Sequence, residues 1–363
     1  MSTVLLAGGG TGGHIFPGIA IAREIMERVA GCEVIFVGTE QGLESRIVPA
    51  QGFRLVTIRS AGITGKRILA RVRGIGLIPF SLLQSLRIIG RFRPRLVVGV
   101  GGYASGPVVA AAVLRRVPTL IHEQNGIPGV TNRWMAPFVT RVVTSFPEAK
   151  QRLGNRGVVL GNPVRREFTT IGPRTKGDTK ARLLICGGSR GARAINRAVC
   201  DALPELSPLI GRMSVVHQTG EADREMVAAA WAASGFPSGD IDVRAFIADM
   251  AGVFAGAALI VSRAGATTVA ELTAAGRPAI LIPFAAATHD HQTHNARALV
   301  NAGAAELIPE SGLTGSTLAA RIRALLSDRA RLDGMAVASA KLGRPDAAAR
   351  IAELCISIMG RAT

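Results

Sequence analysis

The sequence predicts an α/β protein of two Rossmann-like, doubly wound parallel-sheet domains facing a cleft. Three observations carry that expectation. Short apolar, β-branched runs alternate with helical stretches along the whole chain, and a glycine-rich segment follows the first strand of each of two successive series. The chain has 363 residues, 48% of them hydrophobic, and at roughly 100–200 residues per domain that is enough for two cores.

The first series of strands is expected at residues 4–7, 34–37, 55–58, 96–100, 119–122, 142–144 and 158–160. The second is expected at 183–186, 214–217, 243–246, 259–262, 279–283 and 305–308. Nearly continuous apolar runs of this length suit strands covered by helices on both faces. Residues 169–178, rich in Gly, Pro and Thr, read as a connection, and a boundary near Pro163 gives domains at 1–162 and 163–342. A weak internal repeat supports the division: Gly8-Gly9-Gly10-Thr11-Gly12-Gly13 and Gly187-Gly188-Ser189-Arg190-Gly191 each follow a first strand and open a helix.

Charge narrows the partners. The formal net charge is +18, of which residues 1–162 carry +13 and the remainder +5, so the first half holds the anion-facing surface. Four cysteines (Cys32, Cys186, Cys200, Cys355) without Cys-x-x-Cys spacing argue against a zinc ribbon, a redox pair or a disulfide framework, and a reducing compartment fits. The N-terminus runs straight into the glycine cluster without the pattern of a signal peptide. The uncharged run from Leu96 to Leu114 is broken by Gly99, Gly101, Gly102, Gly106 and Pro107, as a strand, a turn and a helix opening at Pro107 would break it, so no membrane span is expected.

Gly8, Gly10 and Gly13 satisfy the dinucleotide fingerprint, in which the backbone approaches a pyrophosphate at a helix N-terminus. Glu40 is only a loose candidate for the acidic residue that a nicotinamide enzyme wants after the second strand. His14, directly after the last glycine, can polarise or deprotonate a bound hydroxyl; a helix-capping or exposed histidine is the plain alternative. In the second half, Ser189, Arg190 and the backbone up to Gly191 suit a phosphate. Gly265 turns a buried strand into a helix through Ala266, Thr267 and Thr268 that aims its dipole at a diphosphate, with Glu271 one to two turns in for ribose hydroxyls.

His289, His291 and His294 invite a metal reading, but no cysteine or second acidic residue completes a site, and polar sugar contacts suit them better. Asp240 and Asp242 mimic an Asp-x-Asp clamp and read as a solvated turn. His122, Glu123, Gln124 and Asn125 end a strand in four polar side chains, which suggests a ligand at the strand's mouth. Gly101 and Gly102 form a third glycine turn, beside the chain's only tyrosine, Tyr103.

From Ser45 to His122 there is no acidic residue, against thirteen basic ones. Within that gap the apolar residues Ile75, Leu77, Ile78, Phe80, Leu82, Leu83, Leu86, Ile88 and Ile89 lie between arginines, as in a segment resting on an anionic membrane, here from Lys66 to Arg95. Core packing with solvated arginines is the alternative. Nucleic acid is disfavoured as a partner because aromatic residues are only 4% of the chain.

Together these residues resemble the MurG-type glycosyltransferases, which add N-acetylglucosamine to lipid I in bacterial peptidoglycan synthesis. The likeness runs through Gly8 to Gly18, Gly101-Gly102-Tyr103, His122 to Gly126, Gly161-Asn162-Pro163-Val164-Arg165, Gly187-Gly188-Ser189, His217-Gln218-Thr219-Gly220 and Arg263 to Glu271. It implies a GT-B fold with the acceptor on the first domain, the uridine nucleotide mainly on the second, and a last helix, about 343–363, packing back on the first. It implies an inverting hexosyltransferase that uses UDP-N-acetylglucosamine and undecaprenyl-linked lipid I, needs no cofactor or metal, and works peripherally at the cytoplasmic face of the membrane.

By that pattern Thr11, Gly12 and Gly13 line the cleft near the transferred sugar and the acceptor diphosphate, Tyr103 binds substrate, and Asn125 and Gln292 meet the sugar. Arg165, Ser189 and Gly191 meet the phosphates, Ile247 the uracil, and Ala266, Thr267, Thr268 and Glu271 the diphosphate and ribose. The expected base is His14, with His122 and Glu123 in reserve. Arg190 and Ala264 depart from the common Gln and Ser, and the loop before Gln292 is one residue longer than in some relatives. A nucleotide-sugar epimerase of the same fold and a basic nucleic-acid-binding protein remain the alternatives; the acid-free segment argues against the first and the three glycine turns against the second.

Overall fold

The computed structural model describes residues 2–60, 76–172, 180–188, 191–287 and 290–360. The chain forms two compact units, Met1–Arg165 with Arg344–Thr363, and Arg166–Gly343.

The first unit is built on a seven-stranded parallel sheet of order β3-β2-β1-β4-β5-β6-β7. Its strands are β1 Ser2–Ala7, β2 Cys32–Gly38, β3 Arg54–Thr57, β4 Leu96–Gly99, β5 Thr119–Glu123, β6 Arg141–Thr144 and β7 Gly157–Val159. Central β1 pairs Val4 with Val34 on one side and with Leu96 on the other. Successive side chains of a strand leave on opposite faces, which is why the buried part of β1, Val4 to Ala7, is apolar on both. Val4 and Leu6 pack with Ile15, Ile19 and Ile25 of helix Gly12–Arg28, while Leu5 and Ala7 pack with Val108, Val109 and Ile89. The C-terminal helix Ala347–Gly360 lays Ile351, Cys355 and Ile358, spaced for one helical face, into the first of these clusters.

The second unit has a six-stranded parallel sheet of order β10-β9-β8-β11-β12-β13. The strands are β8 Ala181–Cys186, β9 Met213–Gln218, β10 Ile241–Arg244, β11 Leu259–Ser262, β12 Ala279–Leu281 and β13 Ala305–Leu307. Its core includes Leu183, Ile185, Val199, Val261, Ile322 and Trp231, whose ring meets Phe236 edge-on with the ring centroids 5.5 Å apart.

Two local expectations differ from the structure. The helix after the Gly101 turn starts at Ser105, two residues before Pro107, whose fixed φ is tolerated in a first turn. The described part of the stretch 169–178 lies past the change of unit. The change of unit falls between Arg165 and Arg166, and Gly172 is tied into the second unit by the buried Arg277, which donates to its carbonyl at 3.1 Å; residues 173–179 lie outside the described residues. Among the described residues no helix is long and apolar enough to cross a membrane.

Candidate active site

In open parallel sheets, ligands are met at the carboxyl ends of the strands, and the polar residues of the first unit gather there. β1 runs into Gly8-Gly9-Gly10, with Gly10 at φ +93°, a conformation that favours glycine. Helix Gly12–Arg28 then opens without a side-chain cap. Half-buried His14 sits in its first turn, against the glycine turn that follows β4. A Cβ on Gly101 would lie 2.8 Å from His14 Nδ1, and one on Gly102 only 2.1 Å from the Gly9 carbonyl oxygen. The two turns therefore interlock only because side chains are missing from both. Tyr103, 41% exposed, lays its hydroxyl over Gly10.

The polar end of β5 is not free to meet a ligand. His122, Glu123 and Gln124 are all buried to 2% exposure or less. Both ring nitrogens of His122 are engaged, Nε2 with the Gly161 carbonyl at 3.1 Å and Nδ1 with Gln124 Nε2 at 3.3 Å. Burial pushes its pKa down to about 4, the Gly161 bond opposing and neighbouring His14 assisting. Glu123 Oε1 accepts from the backbone and side chain of Asn125, and Oε2 from Gly129 N and Asn132 Nδ2 at 2.9 and 2.8 Å. That carboxylate organises the loop from Asn125 to Asn132; Asn125 itself is only part-buried. The expectation of a strand ending on a ligand is thus corrected for three of its four residues.

Gln124 is a residue whose part sequence reasoning missed. Its Nε2 donates to the Val100 carbonyl at 2.7 Å, an acceptor only, so the orientation of the amide is forced. Its Oε1 is buried and, among the described residues, has no hydrogen-bond partner. Both this oxygen and His14 Nδ1 border Gly101, at 3.6 and 2.8 Å from the Cβ position there.

In the second unit, Gly191 is locked at φ +75° against the Thr219 carbonyl, which a Cβ would meet at 1.8 Å. Gln218 holds the other end of that turn by donating to the Gly188 carbonyl at 2.8 Å, while its Oε1 accepts from Ile247 N at 2.9 Å. Behind them His217 Nε2 meets Asn196 Oδ1 at 3.1 Å, Trp231 donates to Nδ1 at 3.3 Å, and Asn196 Nδ2 donates to the Thr219 carbonyl and to Asp223. Burial pushes the His217 pKa down to about 3.

Helix Ala266–Ala274 begins at extended Gly265 with no side-chain cap, and the buried Thr267 hydroxyl has no partner among the described residues. Glu271 is buried one to two turns in, close enough to β8 to add to the burial that pushes Cys186 up to about 12. Gln292, in the first turn of helix His291–Asn301, accepts from Phe284 N at 3.0 Å. The loop carrying Phe284 is clamped by Arg263, which donates to the carbonyls of Ile282 and Pro283 and pairs with Glu310.

The unit-one residues Thr11, Gly12, Gly13, His14, Tyr103 and Asn125 share one end of their sheet, and Gly191, Ile247, Ala266, Thr267, Thr268, Glu271 and Gln292 follow strands or open helices of the other. Arg165 is part-buried at the last position of the first unit's main segment. Ser189, Arg190 and His289 lie outside the described residues. Among the described residues no cluster of three metal-ligating side chains forms, and Asp240 and Asp242 are taken up by Lys180 and Arg244.

The expected membrane segment divides. On helix Ile78–Phe92, Ile88 and Ile89 enter the core, while Ile78, Phe80 and Leu83 remain exposed; residues 61–75, with Lys66, Arg67, Arg71 and Arg73, are outside the described residues. Sequence reasoning missed its continuation. That helix packs on helix Ser105–Leu114, which packs on helix Val130–Met135; Leu114 and Trp134 on these helices and Phe138 just past the second are exposed, as are Arg133 and, just past the first, Arg115 and Arg116.

Two doubly wound parallel sheets with glycine turns and an uncapped helix at their carboxyl ends define the class: a GT-B fold. Residues 4–144 match the glycosyltransferase family 28 N-terminal domain and residues 182–351 the family 28 C-terminal domain. A protein of Anaeromyxobacter sp. (strain Fw109-5) is 51% identical over 99% of this chain and 94% of its own length, and one of Myxococcus xanthus is 46% identical over the same shares. Both are named UDP-N-acetylglucosamine–N-acetylmuramyl-(pentapeptide) pyrophosphoryl-undecaprenol N-acetylglucosamine transferase. The crystal structure of Acinetobacter baumannii MurG superimposes with a TM-score of 0.81 at 31% identity, covering 98% of this chain and all of that one. The MnaA-UDP structure of S. aureus, at 14% identity and a TM-score of 0.68 over 97% of this chain and 95% of that one, shares the fold. The chain belongs to glycosyltransferase family 28 and, within it, to the MurG family.

Proposed function

We propose that the protein transfers N-acetylglucosamine from UDP-N-acetylglucosamine to the muramyl C4 hydroxyl of undecaprenyl-diphosphate-linked N-acetylmuramyl-pentapeptide, with inversion. The observation that carries this reading is near full-length relatedness, at 46–51% identity, to proteins named for that transfer.

The residues suit the chemistry. The acceptor hydroxyl attacks the anomeric carbon, the bond to UDP breaks, and charge builds on the departing diphosphate. The uncapped N-terminus at Gly265–Thr268, the Thr267 hydroxyl and Arg165, with Ser189 and Gly191, answer that charge. Ile247 meets the uracil, Glu271 the ribose, and Gln292 and Asn125 the sugar. Thr11, Gly12, Gly13 and Tyr103 take the acceptor side.

His14 is the base. Gln124 Oε1 and His14 Nδ1 border the same glycine, so the amide held by the Val100 carbonyl stands beside the imidazole that takes the hydroxyl proton. His122 and Glu123, committed to protein partners, are positioning groups instead. No metal takes part, so chelator leaves turnover unchanged. The face formed by Leu83, Leu114, Trp134, Phe138 and their arginines rests on anionic lipid at the cytoplasmic side, where the lipid-linked acceptor is held.

The test is release of UDP from UDP-N-acetylglucosamine, with and without a lipid I analogue: acceptor-dependent release is expected. No calorimetric heat with UDP, alongside tight binding of a nicotinamide cofactor or an oligonucleotide, overturns the reading.

A further inference from the structure

Glu44 is almost wholly buried at the start of helix Glu44–Ala50, and among the described residues no cation pairs with it. Its carboxylate is held by donors instead: Oε1 accepts from Thr39 N and Thr39 Oγ1, both at 2.8 Å, and Oε2 from Gly10 N at 2.9 Å. Three glycines make room for it. A Cβ would lie 2.2 Å from its Oε1 at Gly9, 2.5 Å from its Cγ at Gly38 and 2.1 Å from its Oε2 at Gly42. In a dinucleotide-binding loop this amide faces a ligand's phosphate; here the anion is supplied by the chain.

We infer that Glu44 is a built-in anion that fills the first glycine loop and presets the path from Gly10 to His14, making it a positioning residue for the transfer reaction. Gly10 stands four residues before His14, and its left-handed φ sets the direction in which the chain enters helix Gly12–Arg28. A carboxylate anchored on charge-assisted bonds both to that loop and to the end of β2 fixes the direction more firmly than a neutral group could. The same filling leaves the loop's Gly10 amide unavailable to a nucleotide phosphate in the first unit.

The inference rests on the transfer reaction proposed above, so wild-type protein is assayed beside the variants; absence of acceptor-dependent UDP release from wild type would refute that reaction rather than the role of Glu44. With Glu44→Ala, kcat should fall by about 10- to 100-fold while KM for UDP-N-acetylglucosamine stays within about twofold, because the donor is held by the second unit. Formate or acetate at tens of millimolar, roughly matching the missing group, should restore at least about a fifth of the lost activity to Glu44→Ala and none to wild type. Glu44→Gln keeps the volume but turns an amide toward a donor, so a folded Glu44→Gln protein should lose kcat without carboxylate rescue. Wild-type kcat in a folded Glu44→Gln variant overturns the inference. So does a loss in Glu44→Ala that carboxylates leave untouched and that KM for the donor shares.

Discussion

Ile247 donates its backbone N–H to Gln218 Oε1 at 2.9 Å, and the other end of the same amide reaches the Gly188 carbonyl at 2.8 Å. One buried side chain thus sets the spacing between a residue proposed to meet the uracil and a turn proposed to meet the phosphates. Both partners are single-function, a donor and an acceptor, so the amide fits one way only. In Gln218→Glu a carboxylate oxygen would face the Gly188 carbonyl, a repulsive pair. The dissociation constant for UDP should rise by about 10-fold or more, roughly the loss of one buried hydrogen bond plus an unpaired acceptor. Titration calorimetry with UDP reads this directly; an unchanged constant would show that the strut is idle.

His14→Ala should lower turnover by roughly 10²–10⁴-fold while leaving UDP binding nearly intact. A second variant tests the part of Gln124. Gln124→Glu places a carboxylate beside Nδ1, raises the basicity of the imidazole and moves the acidic limb of the kcat profile upward. A pH profile superimposable on wild type, in a folded Gln124→Glu protein, would separate Gln124 from the base.

Much of this was legible beforehand, for physical reasons. Among the described residues each of the thirteen strands overlaps a short apolar run that predicts it, the central ones most closely because a strand buried on both faces has few polar positions to blur its ends, while the edge strand β10 begins two residues early. Glycine turns were legible because only a residue without Cβ tolerates φ +93° at Gly10 or the 2.1 Å approach at Gly102. What could not be read was direction. His122, Glu123 and Gln124 look ligand-facing in sequence, yet each binds backbone, and His122 and Gln124 bind each other, since polar residues at a strand end serve equally to hold adjoining loops. Glu44 carried a faint signal, two glycines at 38 and 42 around it, but its partner Gly10 is 34 residues away. Trp134 sits in a helix of six residues, too short for an amphipathic period to show.

Buried neutral histidines give the fold a particular acid response. His122 titrates at about 4 and His217 at about 3 in the folded chain, against 6.5 for the free side chain. Between those limits the unfolded chain holds protons that the folded chain refuses, so stability is full above pH 6.5 and falls as pH drops toward 4. Each histidine contributes a slope of about 1.4 kcal/mol per pH unit within that window. Glu310, held below its ordinary range by Arg263 and Ala285 against the opposing effect of burial, adds a loss only at still lower pH. Urea unfolding from pH 7.5 to 5 should show the decline, and His217→Gln should remove about one proton from its slope. A flat profile over that range would mean the histidines are not excluded from protonation.

The chain has two tryptophans, and the fold puts them in opposite surroundings: Trp231 is 1% exposed in the second core, and Trp134 is 76% exposed on the arginine-bordered face. Emission changes on adding vesicles therefore report on Trp134. With anionic vesicles at low salt the emission should shift to the blue, and each arginine near the surface contributes about 1 kcal/mol to binding. Raising salt from about 0.05 to 0.5 M shortens the screening length from roughly 14 to 4 Å and should weaken binding steeply. Replacing Phe138 and Leu114 by Ala removes apolar insertion but no charge, so partitioning should drop by about 10-fold or more while its salt dependence persists. The two effects separate because one is Coulombic and the other scales with area. Partitioning indifferent to salt and to anionic lipid, with no shift of Trp134 emission, would remove this face as the membrane contact and leave the acceptor to be reached some other way.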